Sequence, residues 1–100
     1  MKITDERLNA KDYQAGLALV SFTNVTNFTM PVVFPEPFPT PPIMSCEIVS
    51  GSGVTGRWEA RPITITATGF TLFVLLTDLA EGADTWTNIP VHWIAFMPTA

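Results

Sequence analysis

The sequence predicts an all-β domain, a six-stranded antiparallel β-sandwich or barrel preceded by a short polar N-terminal arm. Three observations lead there. Valine, isoleucine, phenylalanine and fourteen threonines, types that suit a pleated and half-buried surface, recur along the chain. Nine prolines and six glycines divide it into segments too short for long helices. Turn-forming clusters separate apolar segments at intervals of about ten residues, the spacing of short antiparallel strands.

Taken in order, residues 1–14 hold helix-forming types without a sustained apolar face, which predicts an arm that orders by docking. A first strand is expected over residues 16–23 (GLALVSFT) and, after the polar link TNVTN, a second over 28–34. Six prolines then fall between Pro31 and Pro42; they fix φ and remove amide donors, so this stretch should run extended as a rigid connector. A third strand follows at 43–50, and GSGVTG reads as a hairpin turn. The fourth strand, 57–66, is interrupted at Pro62, and ATG turns the chain into a fifth over 70–77. An acidic loop, 78–88, leads to the sixth, 89–97.

Charged residues make up only 14% of the chain, against about 25% in an average soluble domain. Six of these fourteen lie in the first twelve residues. The remaining body has little with which to keep itself dispersed, and two of its strands carry surplus apolar groups. In FTLFVLLT, Phe70, Leu72, Val74 and Leu76 share one face while Phe73 and Leu75 occupy the other; in VHWIAFM, Val91, Trp93, Ala95 and Met97 oppose His92, Ile94 and Phe96. One face fills the core. The other needs cover, and Phe73, Leu75, His92, Ile94 and Phe96 are the expected interface with further copies of the chain.

A net charge of −4 gives no basic footprint for nucleic acid. The longest nearly apolar run is far shorter than the roughly 20 residues of a membrane-spanning helix, so membrane insertion is not expected. Cys46 is the single cysteine, which excludes an intrachain disulfide. The first twelve residues lack the order of a secretory signal, so export by that route is not expected. No nucleophile, phosphate-loop or metal-ligand motif is present, and a non-enzymatic role is expected. Asp78, Glu81 and Asp84 could gather oxygen ligands for calcium but read more simply as a solvated acidic loop, and no cofactor is expected. A sugar site needs an aromatic face beside planar donors and acceptors. Arg57, Asp78, Asp84, Trp86 and Asn88 supply these types, with Trp86 expected at the exposed end of the acidic loop.

The order of AGLALVSF, VVFPEPFPTPPIM, RWEARPITITATGF and VHWIAF resembles the H-type lectin domain over residues 15–96. That resemblance implies a six-stranded antiparallel β-sandwich assembling as a homotrimer or a pair of trimers. It also implies galactose-type glycans bound in clefts between copies. The first arginine of the family's RxxAR pattern falls on Arg57. The family's aromatic–polar pair falls on Thr77 and Asp78, and its Gly-Arg-Asp stretch has no counterpart among residues 22–28. Small members of this fold are also encoded by bacteriophages as virion appendages. A phage member would be displayed on the virion surface and docked to other virion proteins through residues 1–14. The alternative is a decoration or fibre-tip protein that uses the fold for assembly alone.

Overall fold

The computed structural model describes residues 12–98. Six strands, β1 (Tyr13–Val25), β2 (Asn27–Val33), β3 (Ile43–Ile48), β4 (Trp58–Ile63), β5 (Gly69–Leu76) and β6 (Asp84–Phe96), form two three-stranded antiparallel sheets. Their orders are β1–β6–β3 and β2–β5–β4. All six expected strands are present, with shifted ends. Tyr13 and Gln14, assigned to the arm from the sequence, open β1, and the arm's first eleven residues lie outside the described residues. β6 begins at Asp84 rather than at 89, which shortens the acidic loop. GSGVTG is not a hairpin turn: β3 pairs with β6 and β4 with β5, so this segment carries the chain from one sheet to the other.

Strict alternation in β5 turns Phe70, Leu72, Val74 and Leu76 inward. In β6, Val91, Trp93 and Ala95 do the same. Aromatic contacts join the two sheets at both ends of the shared core. At one end Phe22 of β1 meets Phe28 of β2 at 5.4 Å and Trp58 of β4 at 4.9 Å. At the other, Phe70 of β5 lies 5.6 Å from Trp93 of β6, with Phe34 wedged against both. Offset and edge-on aromatic pairs of this kind add about 0.5–1.5 kcal/mol each beyond the area they bury. Gly16 makes room for Trp93, since a Cβ there would come within 2.4 Å of the indole.

The proline-rich connector closes that second end. Phe34 and Phe38 donate backbone hydrogen bonds to Thr68 (2.9 Å) and Ala67 (2.7 Å) and bury their rings, while the prolines around them need no donor partner. Gln14, buried on β1, has its amide satisfied by Glu36: its nitrogen donates to the Glu36 carbonyl at 2.8 Å and its oxygen accepts from the Glu36 N–H at 3.3 Å. A buried amide without such partners would cost about 1–3 kcal/mol, so this pair helps set where the connector lies.

Two compensating bulges interrupt the β1–β6 ladder. Val20 pairs with Ile89, Phe22 with Trp86 and Val25 with Asp84, so β6 holds one extra residue and then β1 does. Asn88 (φ 48°) and Asn24 (φ 52°) take the left-handed backbone at these places, a conformation that asparagine tolerates better than most residues. Asn88 is held by Ser21, whose hydroxyl accepts from the Asn88 N–H at 2.8 Å and donates to its side-chain oxygen at 3.3 Å. Without the bulge, the alternation that turns Val91 inward would turn Trp86 outward. Replacing Asn88 by valine should therefore lower stability by about 1–2 kcal/mol in urea denaturation, the left-handed cost for a residue with a bulky Cβ. Asn88→Gly should stay within a few tenths of wild type; equal losses in both would remove the backbone explanation.

Candidate functional site

Arg57 ends a single 3-10 turn, Thr55–Arg57, immediately before β4, rather than lying in the fourth strand as expected. Its carbonyl is gripped by both the N–H and the hydroxyl of Thr77, each at 2.7 Å, which ties the turn to the end of β5. From there the guanidinium reaches Asp84 at the start of β6, one nitrogen donating to both carboxylate oxygens at 2.8 and 2.7 Å. The other terminal nitrogen donates to the Asp78 carbonyl at 3.3 Å. Asp84 also accepts from the Trp58 indole N–H at 2.8 Å. The Asp78 carboxylate is turned elsewhere and accepts from the Ala80 N–H at 3.1 Å, capping the short turn Leu79–Glu81.

The structure thus brings Arg57, the Asp78 carbonyl and Asp84 together at one end of the domain, with the Trp58 indole beside them. The gathering is an ion pair with side-chain exposures of 20% and 10%, well shielded from solvent. Trp86 does not join it as an exposed stacking face. It is 1% exposed, packed 5.0 Å from Phe22 and 5.2 Å from Trp58. The missed signal was parity: the bulge at Asn88 reverses the in–out alternation, and a residue read as loop becomes core. Asn88 is exposed on β6 but is engaged with Ser21, away from the cation. Among the described residues no group of three or more histidine, cysteine or acidic side chains could hold a metal ion.

The expected interface residues divide between the two outer surfaces. Phe73 and Leu75 lie on the outside of β2–β5–β4, half-buried beneath polar neighbours. Phe73 stands in register between Thr29 and Arg61, and Leu75 between Asn27 and Glu59, with Arg61 ion-paired to Glu59. His92, Ile94 and Phe96 lie on the outside of β1–β6–β3. Across that sheet the rows read Tyr13–Phe96–Ile43, Ala15–Ile94–Ser45 and Leu17–His92–Glu47, with Leu19 opposite Pro90 and Val49 bonded to the Pro90 carbonyl. Cys46 faces the other way, toward the core, and burial pushes its thiol up to about 11 from 9.0.

Two outcomes follow from these placements. Asp84→Ala leaves the Arg57 cation and the Trp58 N–H facing each other without their shared acceptor; it should cost about 2–3 kcal/mol in urea denaturation, below the roughly 3–5 of a fully buried pair. Asp84→Asn should cost less because it still accepts from the indole, and a loss under about 0.5 kcal/mol for the alanine variant would show the cluster to be incidental. The raised Cys46 thiol means that the unfolded chain ionises first, so stability should fall as pH rises from about 9 to about 11. Cys46→Ala should reduce that slope, and an unchanged slope would place its origin elsewhere.

No protein-family model matches this sequence, and no curated protein matches it. Solved structures do. The tailspike gp49 of Pseudomonas phage LKA1 matches with a TM-score of 0.66 at 21% identity, over 89% of this chain and 16% of that one. The tailspike gp61 of Pseudomonas phage phi297 matches with a TM-score of 0.63 at 17% identity, over 86% of this chain and 15% of that one. An N-truncated R1-type pyocin tail fibre gives 0.58 at 13% identity, over 83% of this chain and 67% of that one. The chain therefore corresponds to a small part of either tailspike. At these identities the likeness is one of fold: the chain shares its two-sheet all-β architecture with domains of phage tailspikes and a pyocin tail fibre.

Proposed function

We propose that this chain is a tail-associated virion module, a β-sandwich of H-type lectin kind that assembles as a homotrimer on the virion surface. The observation that carries the reading is the recurrence of its fold in two phage tailspikes and a pyocin fibre. A surface poor in charge and rich in exposed apolar groups supports assembly over a solitary existence. The residues before β1, 1–12, are then the tether to a neighbouring virion protein, and the strands from Tyr13 onward the displayed domain. Assembly is the leading role because the groups that could read a sugar are largely occupied: Asp84 is held by Arg57 and Trp58, and Trp86 is inside.

Glycan recognition is the second reading, favoured by one arrangement. The Arg57 guanidinium, the Asp84 carboxylate and the Asp78 backbone carbonyl converge beside an exposed loop at one end of the domain, planar donors and acceptors of the kind that reads hydroxyl positions. The test is a broad glycan array probed with the purified protein at its measured native mass, beside Arg57→Lys, which keeps the charge but changes the planar fork. An oligomer that binds no glycan is the expected result and leaves assembly as the role. Saturable binding that is lost in Arg57→Lys would make the domain an adhesin. A folded monomer without glycan binding would contradict both readings.

A further inference from the structure

The outer surface of β1–β6–β3 is unusual for a chain in water. Tyr13, Leu17, Leu19, Ile43, Ile94 and Phe96 are all exposed on it, the two leucines by 55% and 56%. With Val49 they present on the order of 600 Å² of accessible surface, at the top of the roughly 300–600 Å² range for the largest patch on a monomer. Adding the smaller residues between them brings the face toward the ~800 Å² that each partner contributes to a stable interface.

Its relief and its polar groups suit another copy of itself. Ile94 forms a ridge between two small neighbours, Ala15 on β1 and Ser45 on β3. On the β1 side this leaves an open depression of about 360 Å³, and on the β3 side one of about 160 Å³. Leu17 and Leu19 project from the same surface, so it carries both protrusions and hollows. Glu47 and His92 stand side by side in the row that ends at Leu17, and facing copies can set a carboxylate acceptor against an imidazole N–H across the contact. A partner recognised by charge would need to be basic to suit a chain of net charge −4, and this face offers such a partner a single carboxylate.

The edge of the sheet points the same way. β2 and β4, the edges of the other sheet, contain Pro31 and Pro62, and β3 is short and follows Pro41 and Pro42. Proline and shortness guard exposed edges against pairing. β1 is an edge strand of thirteen residues with no proline. The hydrogen bond from the Met97 N–H to the Asp12 carbonyl fixes its alternation, so the backbone groups of Tyr13, Ala15, Leu17 and Leu19 turn away from β6. Among the described residues, an unguarded edge and an uncovered face meet along one strand.

We propose that copies of this chain associate through the outer face of β1–β6–β3, with Ile94 and Phe96 at its centre and Leu17 and Leu19 seated in the partner's hollows. This deepens the trimeric reading above by naming its surface, and it removes Phe73 and Leu75 from the interface expected from the sequence. The experiment is the native mass of the full chain by light scattering, with Leu17→Lys/Leu19→Lys, Ile94→Glu and Leu75→Glu, and near-ultraviolet circular dichroism to check the fold. Both leucines are more than half exposed in the single chain, so the lysine pair keeps a folded control if Ile94→Glu does not fold.

Wild type and Leu75→Glu should be oligomeric. The lysine pair should be a folded species of 10.9 kDa, with self-association weakened 100-fold or more, on the order expected for burying unpaired charge. A dimer lost in the lysine pair would uphold this surface while overturning the trimer. A lysine pair that stays oligomeric, or a wild type that is a folded monomer, would overturn the inference.

Discussion

The left-handed backbone at Asn88 sets which side chains of β6 face inward on either side of it. Beyond the bulge, odd-numbered residues fill the core and even-numbered ones face out; before it, Trp86 turns in to stack on Phe22 and pack against Trp58. The compensating bulge at Asn24 restores register, so that Asp84 stands opposite Val25 and within reach of Arg57 and Trp58. The buried indole, the shielded ion pair and the outward row of His92, Ile94 and Phe96 all depend on that one residue's conformation. A strand of thirteen residues without such a correction would carry Trp86 on the same outer surface as Ile94.

Strand existence was legible because it rests on composition and punctuation. Threonine, valine and phenylalanine between glycine and proline signals located all six strands, and the alternation in FTLFVLLT correctly separated its two faces. The proline-rich connector was legible for a related reason, since prolines without N–H groups fit a segment that makes few ladder bonds. Parity across a bulge was not legible. Residues 84–88 read as loop because acidic and polar types dominate them, and the asparagine that bends the strand has the same letter as one in a turn. The path between sheets was also hidden: GSGVTG has turn chemistry whether the chain returns beside itself or crosses the core.

The candidate site shows a similar division. Arg57, Asp78 and Asp84 stood out in the sequence as planar donors and acceptors, by residue type alone. That the aspartate is occupied by the arginine and an indole N–H depends on distances no spacing encodes. The two outer surfaces differ for a reason visible only once pairing is known. Phe73 and Leu75, half-buried, are flanked in register by Arg61, Glu59, Thr29 and Asn27, whereas Ile94 and Phe96, exposed, are flanked by alanine, serine, tyrosine and isoleucine. Lateral neighbours decide whether an outward apolar group is sheltered within the chain or left for another molecule.

Association through the β1–β6–β3 surface changes side-chain exposure in the assembled protein, and hydroxyl-radical footprinting of the native full chain reads that quantity directly. Leu79 and Val33, 65% and 77% exposed away from the proposed contact, serve as internal references. They should be oxidised readily while Tyr13, Leu17, Leu19 and Phe96 are protected well below their exposure in the single chain. Oxidation of Leu17 and Leu19 at the rate of Leu79 would show the β1–β6–β3 surface open to water and contradict that association.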